Sequence, residues 1–222
     1  MNVIDKLADA VLDADVAKAE NLVKQWVTDH GYDKLLEDLL MPVLNKISNM
    51  FDENAVSLAQ SYVVSLLAEK VLDIIQSHKK DTPDQKCYGP IVIGNIEDDC
   101  HPLGRKIVAS VARAYGWEVF DLGIDVEAKE FVDKAVEVGA KVIVVSAMTF
   151  TTARNIISVR EEIDRRGLKD KIKLAVGGAS FNRQIELVDE VKADGYSSDA
   201  LKAPPLFKRL WDEVEQTEGE QS

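Results

Sequence analysis

Cysteine is scarce in this 222-residue sequence, with only Cys87 and Cys100. Two cysteines make no disulfide framework and point to a reducing compartment. Basic charge is also short: 27 Lys and Arg face 39 Asp and Glu, for a net charge of −12. An acidic chain repels phosphate backbones and anionic lipid headgroups, so nonspecific nucleic-acid or membrane-surface binding is not expected. No apolar run approaches the roughly 18 residues that a membrane span needs. The first residues, Met1-Asn2-Val3-Ile4-Asp5, lack the basic-then-apolar pattern of a signal peptide, and the expectation is a cytoplasmic protein. Also missing are a Gly-x-Ser-x-Gly elbow, a phosphate loop and a dinucleotide Gly-x-Gly-x-x-Gly. Cys100 and His101 are adjacent but lack the further ligands of a structural zinc site. His30 and His78 stand alone, and Trp26, Trp117 and Trp211 are too dispersed to form a stacking platform.

What is present divides the chain in two. Residues 1–77 carry helical periodicity throughout. Val3, Leu7 and Val11 share one stripe. Asp15 is placed to cap a helix that runs to His30 and stops at Gly31. A third stretch spans Asp33 to Phe51, where Pro42 either kinks the helix or starts a new one. A fourth spans Ala55 to Ser77. Four such stretches predict a four-helix bundle. Residues 78–89 are polar, contain Pro83 and lack periodicity, as a linker does.

From residue 90 onward strand and helix patterns alternate, which predicts a parallel five-stranded α/β sheet. Strands are expected at 91–96, 118–122, 142–147, 172–176 and about 193–196. Helices are expected at about 104–115, 127–138, 152–166 and 181–191, with a last one from Pro205 to Val214. This second domain covers 90–216, and the acidic 217–222 forms a tail; residues from Glu215 onward should fray.

Three motifs sit where these strands should end. Asp99-Cys100-His101-Pro102-Leu103-Gly104 follows Ile91-Val92-Ile93. Forty-one residues later (105–145) comes Ser146-Ala147-Met148, and 28 residues further (149–176) comes Gly177-Gly178. Ligands of parallel α/β sheets bind at the carboxyl ends of strands, so one ligand can touch all three. A carboxylate two residues from a histidine sets its tautomer, which suits an imidazole that presents its other nitrogen to a metal.

The three motifs together resemble the cobalamin-binding module of methionine synthase and of the corrinoid proteins of methyltransferase systems, whose pattern is Asp-x-His-x-x-Gly, Ser-x-Leu and Gly-Gly at nearly these spacings. The resemblance covers residues 88–203 and includes Ala193-Asp194-Gly195-Tyr196. Met148 replaces the usual Leu, and Pro102 stands where a polar residue is common. It implies a flavodoxin-like fold of five parallel strands behind a helical cap, with cobalamin as the cofactor. By the same resemblance the cofactor's benzimidazole would leave the cobalt, its nucleotide tail would enter a slot in the sheet domain, and His101 would become the lower axial ligand. Asp99 and Ser146 would extend from His101 as a ligand relay. Cys100, Pro102, Leu103, Gly104, Met148, Thr151, Gly177, Gly178 and Tyr196 would line the cofactor. Thr149 and Thr152 offer further hydroxyls, and capping the following helix is an alternative task for Thr151 or Thr152.

The helical half resembles the family's cap less closely. Where the family often has Gly-x-Leu-Phe-Glu-x-Gly-Glu, this chain has Ser48-Asn49-Met50-Phe51-Asp52-Glu53-Asn54-Ala55. Met50 and Phe51 are candidates to shield the cofactor's upper face, or are simple core. The implied function is a methyl carrier that takes a methyl group from a substrate-specific methyltransferase and passes it to a second one. It would have no turnover alone. The alternatives are a cobalamin-dependent sensor or the small subunit of an adenosylcobalamin mutase.

Overall fold

A computed structural model of the chain describes residues 2–31, 34–52 and 88–220. The chain divides into two compact units, Met1–Asp84 and Gln85–Ser222. Among the described residues no helix is long and apolar enough to cross a membrane.

In the first unit, α1 (Val3–Leu12) opens with a capping box. Asn2 accepts from the Asp5 amide at 2.8 Å, and Asp5 accepts back from the Asn2 amide at 3.3 Å. Asp15 caps α2 (Val16–His30), accepting from the Lys18 amide at 3.0 Å, and Gly31 ends it at φ +80°. Leu35–Leu40 winds as a π-helix before α3 (Met41–Asp52). Pro42 therefore lies in the first turn of a new helix. It has no N–H to give the preceding turn, so the narrow register fails there and the chain widens. Leu7, Val11, Val23, Leu35, Leu39, Val43 and Ile47 form the buried apolar set. The fourth expected helix, most of the expected linker, and the side chains of Met50 and Phe51 lie outside the described residues.

In the second unit the strands are β1 (Tyr88–Asn95), β2 (Trp117–Asp121), β3 (Val142–Ser146), β4 (Lys173–Gly177) and β5 (Gly195–Ser197). All pairs are parallel, in the order β2-β1-β3-β4-β5. The connecting helices are α4 (Pro102–Ala114), α5 (Ala128–Val138), α6 (Phe150–Asn155), α7 (Ile157–Arg165), α8 (Ala179–Arg183) and α9 (Leu187–Glu190), with α10 (Ala203–Glu220) last. Both sheet faces are covered, which is why the strands read as unbroken apolar runs. Val92, Ile143, Val145, Leu174 and Val176 meet Phe131 and Phe181 on one side. Ile91, Ile93, Val142, Val144 and Ala175 meet Trp117, Phe207 and Leu210 on the other.

Register aligns the strand ends. Asn95 pairs with Ser146, Ser146 with Gly177, Gly177 with Ser197, and Ile93 with Asp121. The order reverses between β1 and β3, and these ends form the crevice of an open parallel sheet.

Four elements differ from the periodicity. β1 starts at Tyr88, inside the stretch read as linker, because Gly89 lets Trp211 pack on it: a Cβ there would lie 2.1 Å from the indole. The helix expected at 152–166 is two helices, α6 and α7, and Ser158 Oγ donates to the freed Asn155 carbonyl at 2.6 Å. The helix expected at 181–191 is likewise α8 and α9. The residues expected to fray after Val214 remain helical to Glu220. Lys141 reaches Glu215 and Glu218 there, at 3.5 and 2.8 Å, and Trp211 Nε1 donates to Glu215 at 3.0 Å.

Candidate functional site

The β1–α4 loop is built by three carboxylates that do different work. Asp98 takes a left-handed turn at φ +68°, and its amide donates to Asp125 Oδ1 at 2.8 Å. Asp125 is also left-handed, at φ +56°, and its amide donates to the Asp99 carbonyl at 3.2 Å. Asp and Asn tolerate this region better than other side chains, which explains two such residues locking adjacent loops. Between them the Asp99 side chain turns inward and is fully buried, with 0% exposure.

A buried carboxylate needs donors on both oxygens. Asp99 Oδ1 accepts from the His101 amide at 2.9 Å, from His101 Nδ1 at 3.2 Å and from Asn95 Nδ2 at 3.3 Å. Asp99 Oδ2 accepts from the Met148 amide at 2.6 Å and from Thr152 Oγ1 at 3.0 Å. A carboxylate only accepts, so in a neutral imidazole this contact puts the proton on Nδ1 and leaves Nε2 its lone pair. The His101 side chain is 57% exposed. It sits at the N-cap of α4 with Pro102 at the next position, where a missing N–H costs the helix nothing. The proline that departs from the family pattern thus starts the helix directly behind the histidine.

The hydroxyl on Asp99 belongs to Thr152, whereas the resemblance implied Ser146 as the member that extends the relay. Among the described residues Ser146 Oγ makes no hydrogen bond to Asp99; Ser146 ends β3 half-buried, beside Gly104. Thr152 arrives because α6 starts with its own capping box. Thr149 Oγ1 accepts from the Thr152 amide at 3.1 Å, and Thr152 Oγ1 lies 2.9 Å from Thr149 Oγ1. The helix cap is therefore Thr149, rather than Thr151 or Thr152. Thr151 is exposed on the first turn of α6.

The remaining expected residues frame this cluster at differing distances. Cys100 and Met148 are exposed beside the histidine in sequence and at the β3 end; Leu103 is half-buried in the first turn of α4. A Cβ added to Gly104 would meet nothing nearer than Ser146 Oγ at 4.0 Å, so a gap lies between the start of α4 and the end of β3. Gly177 is also uncrowded, with the Ser197 carbonyl at 3.4 Å from such a Cβ. Gly178 is different. At φ +114° a Cβ would fall 2.1 Å from the Ala147 carbonyl, so the chain's own β3 turn demands glycine there. Tyr196 lies on β5, three strands from β1; its hydroxyl donates to Asn182 Oδ1 at 2.5 Å, and burial pushes the phenol pKa up.

Sequence reasoning missed Thr152 as the partner of Asp99, and it missed Asn95, Arg105 and Asp121 altogether. Their signals were slight: an amide ending an apolar strand, and an arginine beside Ile107 on an amphipathic helix.

Among the described residues no three His, Cys, Asp or Glu side chains converge as a metal cage. The donor set is one outward imidazole, oriented from behind. That fits a metal arriving with most of its ligands already attached, next to the gap between Gly104 and Ser146. The family described as "B12 binding domain" matches residues 89–204, and a second family of the same description matches residues 3–76. This chain belongs to the B12-binding family. Its cofactor is a corrinoid. Trimethylamine corrinoid protein 1 of Methanosarcina acetivorans is 31% identical over 201 residues, 89% of this chain and 92% of that one. Dimethylamine corrinoid protein 1 of Methanosarcina mazei is 30% identical, over 91% of this chain and 89% of that one. The structure of the Methanosarcina barkeri monomethylamine corrinoid protein superposes with a TM-score of 0.76 at 21% identity, covering 92% and 96% of the two chains. At that identity it speaks for the B12-binding fold alone.

Proposed function

We propose that this chain is a cytoplasmic corrinoid methyl carrier, in which His101 Nε2 would be the lower axial ligand and the gap between Gly104 and Ser146 would take the cofactor's nucleotide tail. The observation that carries the reading is the His101–Asp99 pair: an exposed ring held at Nδ1 by a fully buried carboxylate, with Nε2 facing outward. The bound corrinoid supplies a cobalt that accepts and releases a methyl group. The protein's residues hold the ligand to it. Asp99 fixes the imidazole tautomer, Thr152 and the Met148 amide fix Asp99, and Pro102 anchors the backbone behind the ring. Partners would be a substrate-specific methyltransferase and a second, acceptor methyltransferase; that the relatives are named for methylated amines supports a methyl donor.

The test is the ultraviolet–visible spectrum of the purified chain loaded with hydroxocobalamin, beside a His101→Ala variant. A histidine-ligated spectrum that is lost in the variant is the expected result. Identical spectra, or no corrinoid retained by the wild type after desalting, would overturn the reading. A cobalamin sensor is separated from a carrier by methylcobalamin turnover with a partner methyltransferase, which only a carrier supports.

A further inference from the structure

Behind Asp99 runs a second line of buried polar groups that the methyl-carrier reading does not require. Asn95, the last residue of β1, is fully buried. Its Nδ2 donates both to Asp99 Oδ1 at 3.3 Å and to the His101 carbonyl at 3.2 Å. Its Oδ1 accepts from Arg105 Nε at 2.8 Å. Arg105 is 4% exposed and ion-paired through Nη1 to Asp121 at the end of β2. Asp121 Oδ1 in turn accepts from the Gly123 amide at 3.0 Å.

We propose that Asn95 and Arg105 are positioning residues for the axial ligand, setting how firmly His101 is held toward the cobalt. This inference rests on His101 being that ligand. The reason is donor chemistry. An amide side chain can turn either its oxygen or its NH2 toward Asp99. Guanidinium has donors only, so Arg105 Nε on Oδ1 decides the matter. The NH2 then points at the carboxylate and at the His101 carbonyl, clamping both ends of the Asp-x-His step. Reversed, the amide would set an oxygen against the carboxylate. Arg105 lies four residues after His101, one helical turn along α4, so it reaches back beneath the histidine. Asp121 occupies a second arm of the guanidinium and fixes its plane, a two-acceptor task that the single point charge of lysine cannot copy. The line crosses β2, β1 and α4, and it ends at the strand-order reversal where the ligand sits.

The experiment compares full-length wild type, Asn95→Ala, Arg105→Lys, Arg105→Met and His101→Ala, each loaded with hydroxocobalamin and desalted. The readouts are corrinoid stoichiometry, spectrum and thermal midpoint. Asn95→Ala, which removes two donated hydrogen bonds, and both Arg105 variants are expected to retain corrinoid but lower the ratio of histidine-ligated to unligated cofactor, by about threefold to tenfold for each hydrogen bond lost. Arg105→Lys should resemble Arg105→Met, because fork geometry matters more than charge. If Arg105→Lys matches wild type while Arg105→Met does not, the orienting role is overturned. Wild-type spectra in all three, with lowered midpoints, would reduce the line to a structural one. Should Asn95→Ala fail to fold, Asp121→Asn, at the quarter-exposed end of the line, reads the same ratio. A His101→Ala spectrum identical to wild type would instead refute the ligand reading itself.

Discussion

Two buried arginines bind strand-end aspartates in the sheet unit, and their surroundings are nearly alike. Arg105 is 4% exposed against an Asp121 of 23%; Arg160 is 4% exposed against an Asp194 of 25%. They lie at opposite ends of the sheet. Asp194 precedes β5, and its carboxylate also accepts from the Leu174 amide at the start of β4, at 2.7 Å. What differs is Nε. Arg160 Nε is buried and finds no partner among the described residues, while Arg105 Nε is committed to Asn95. The ion pair at the amino end closes on backbone and secures the last strand. The one at the carboxyl end passes its order on to Asp99 and His101. The same residue types at the same burial thus close on backbone in one place and continue to the histidine loop in the other, and only the next hydrogen bond tells them apart.

That contrast can be tested by damaging each end. The largest stability loss should follow Asp194→Ala, which leaves the buried Arg160 guanidinium only Asp164, at 3.6 Å, and costs about 3 kcal/mol. Chemical denaturation measures it, and the loaded spectrum should stay that of wild type. A spectral change there would erase the distinction between the two arginines. Gly178→Ala comes next. Its backbone strain alone is worth about 1–3 kcal/mol, to which the Ala147 carbonyl clash adds. Loss of stability in the corrinoid-free protein would show that this glycine serves the β3 turn; unchanged stability with lost corrinoid would return it to the tail.

Thr152→Val keeps the shape of the side chain but removes one donor from buried Asp99. We expect about 1 kcal/mol, seen as a thermal midpoint lower by about 3 °C. The histidine-ligated fraction should fall with it, whereas Ser146→Ala should leave that fraction unchanged. The smallest effect belongs to the surface. Arg165 and Arg166, through hydrogen bonds to Glu162, lower its carboxyl from 4.5 to about 2. A depressed folded pKa gives stability that is present above pH 4.5 and lost as pH falls toward 2. Glu162→Gln should lower the midpoint slightly near neutrality, flatten the acid limb of the midpoint-versus-pH curve in that window, and match wild type near pH 2.

Much of the architecture was legible in the chain. Unbroken apolar runs such as Val142–Val145 announce strands buried on both faces, and Gly139 and Gly167 mark helix ends with φ of +69° and +66°. Asp99, His101 and Gly104 were legible because their chemistry depends on local spacing, two and three residues apart. Helix breaks at Ile156 and Gln184 were not, since each interrupts a periodic segment that carries no proline or glycine at the break.

By itself, then, the sequence determined the strand–helix alternation, the histidine loop and the family, all of which reside in local patterns and their spacing. Tertiary structure decided which groups meet Asp99. Ser146 lies at the end of its strand, but the capping box of α6 turns Thr152 back to the carboxylate, a choice that depends on helix direction. Arg105 finds Asp121 only because β1 and β2 are neighbours and register sets Ile93 beside Asp121. Strand order and register follow from packing both sheet faces at once, and no local stretch of residues encodes them.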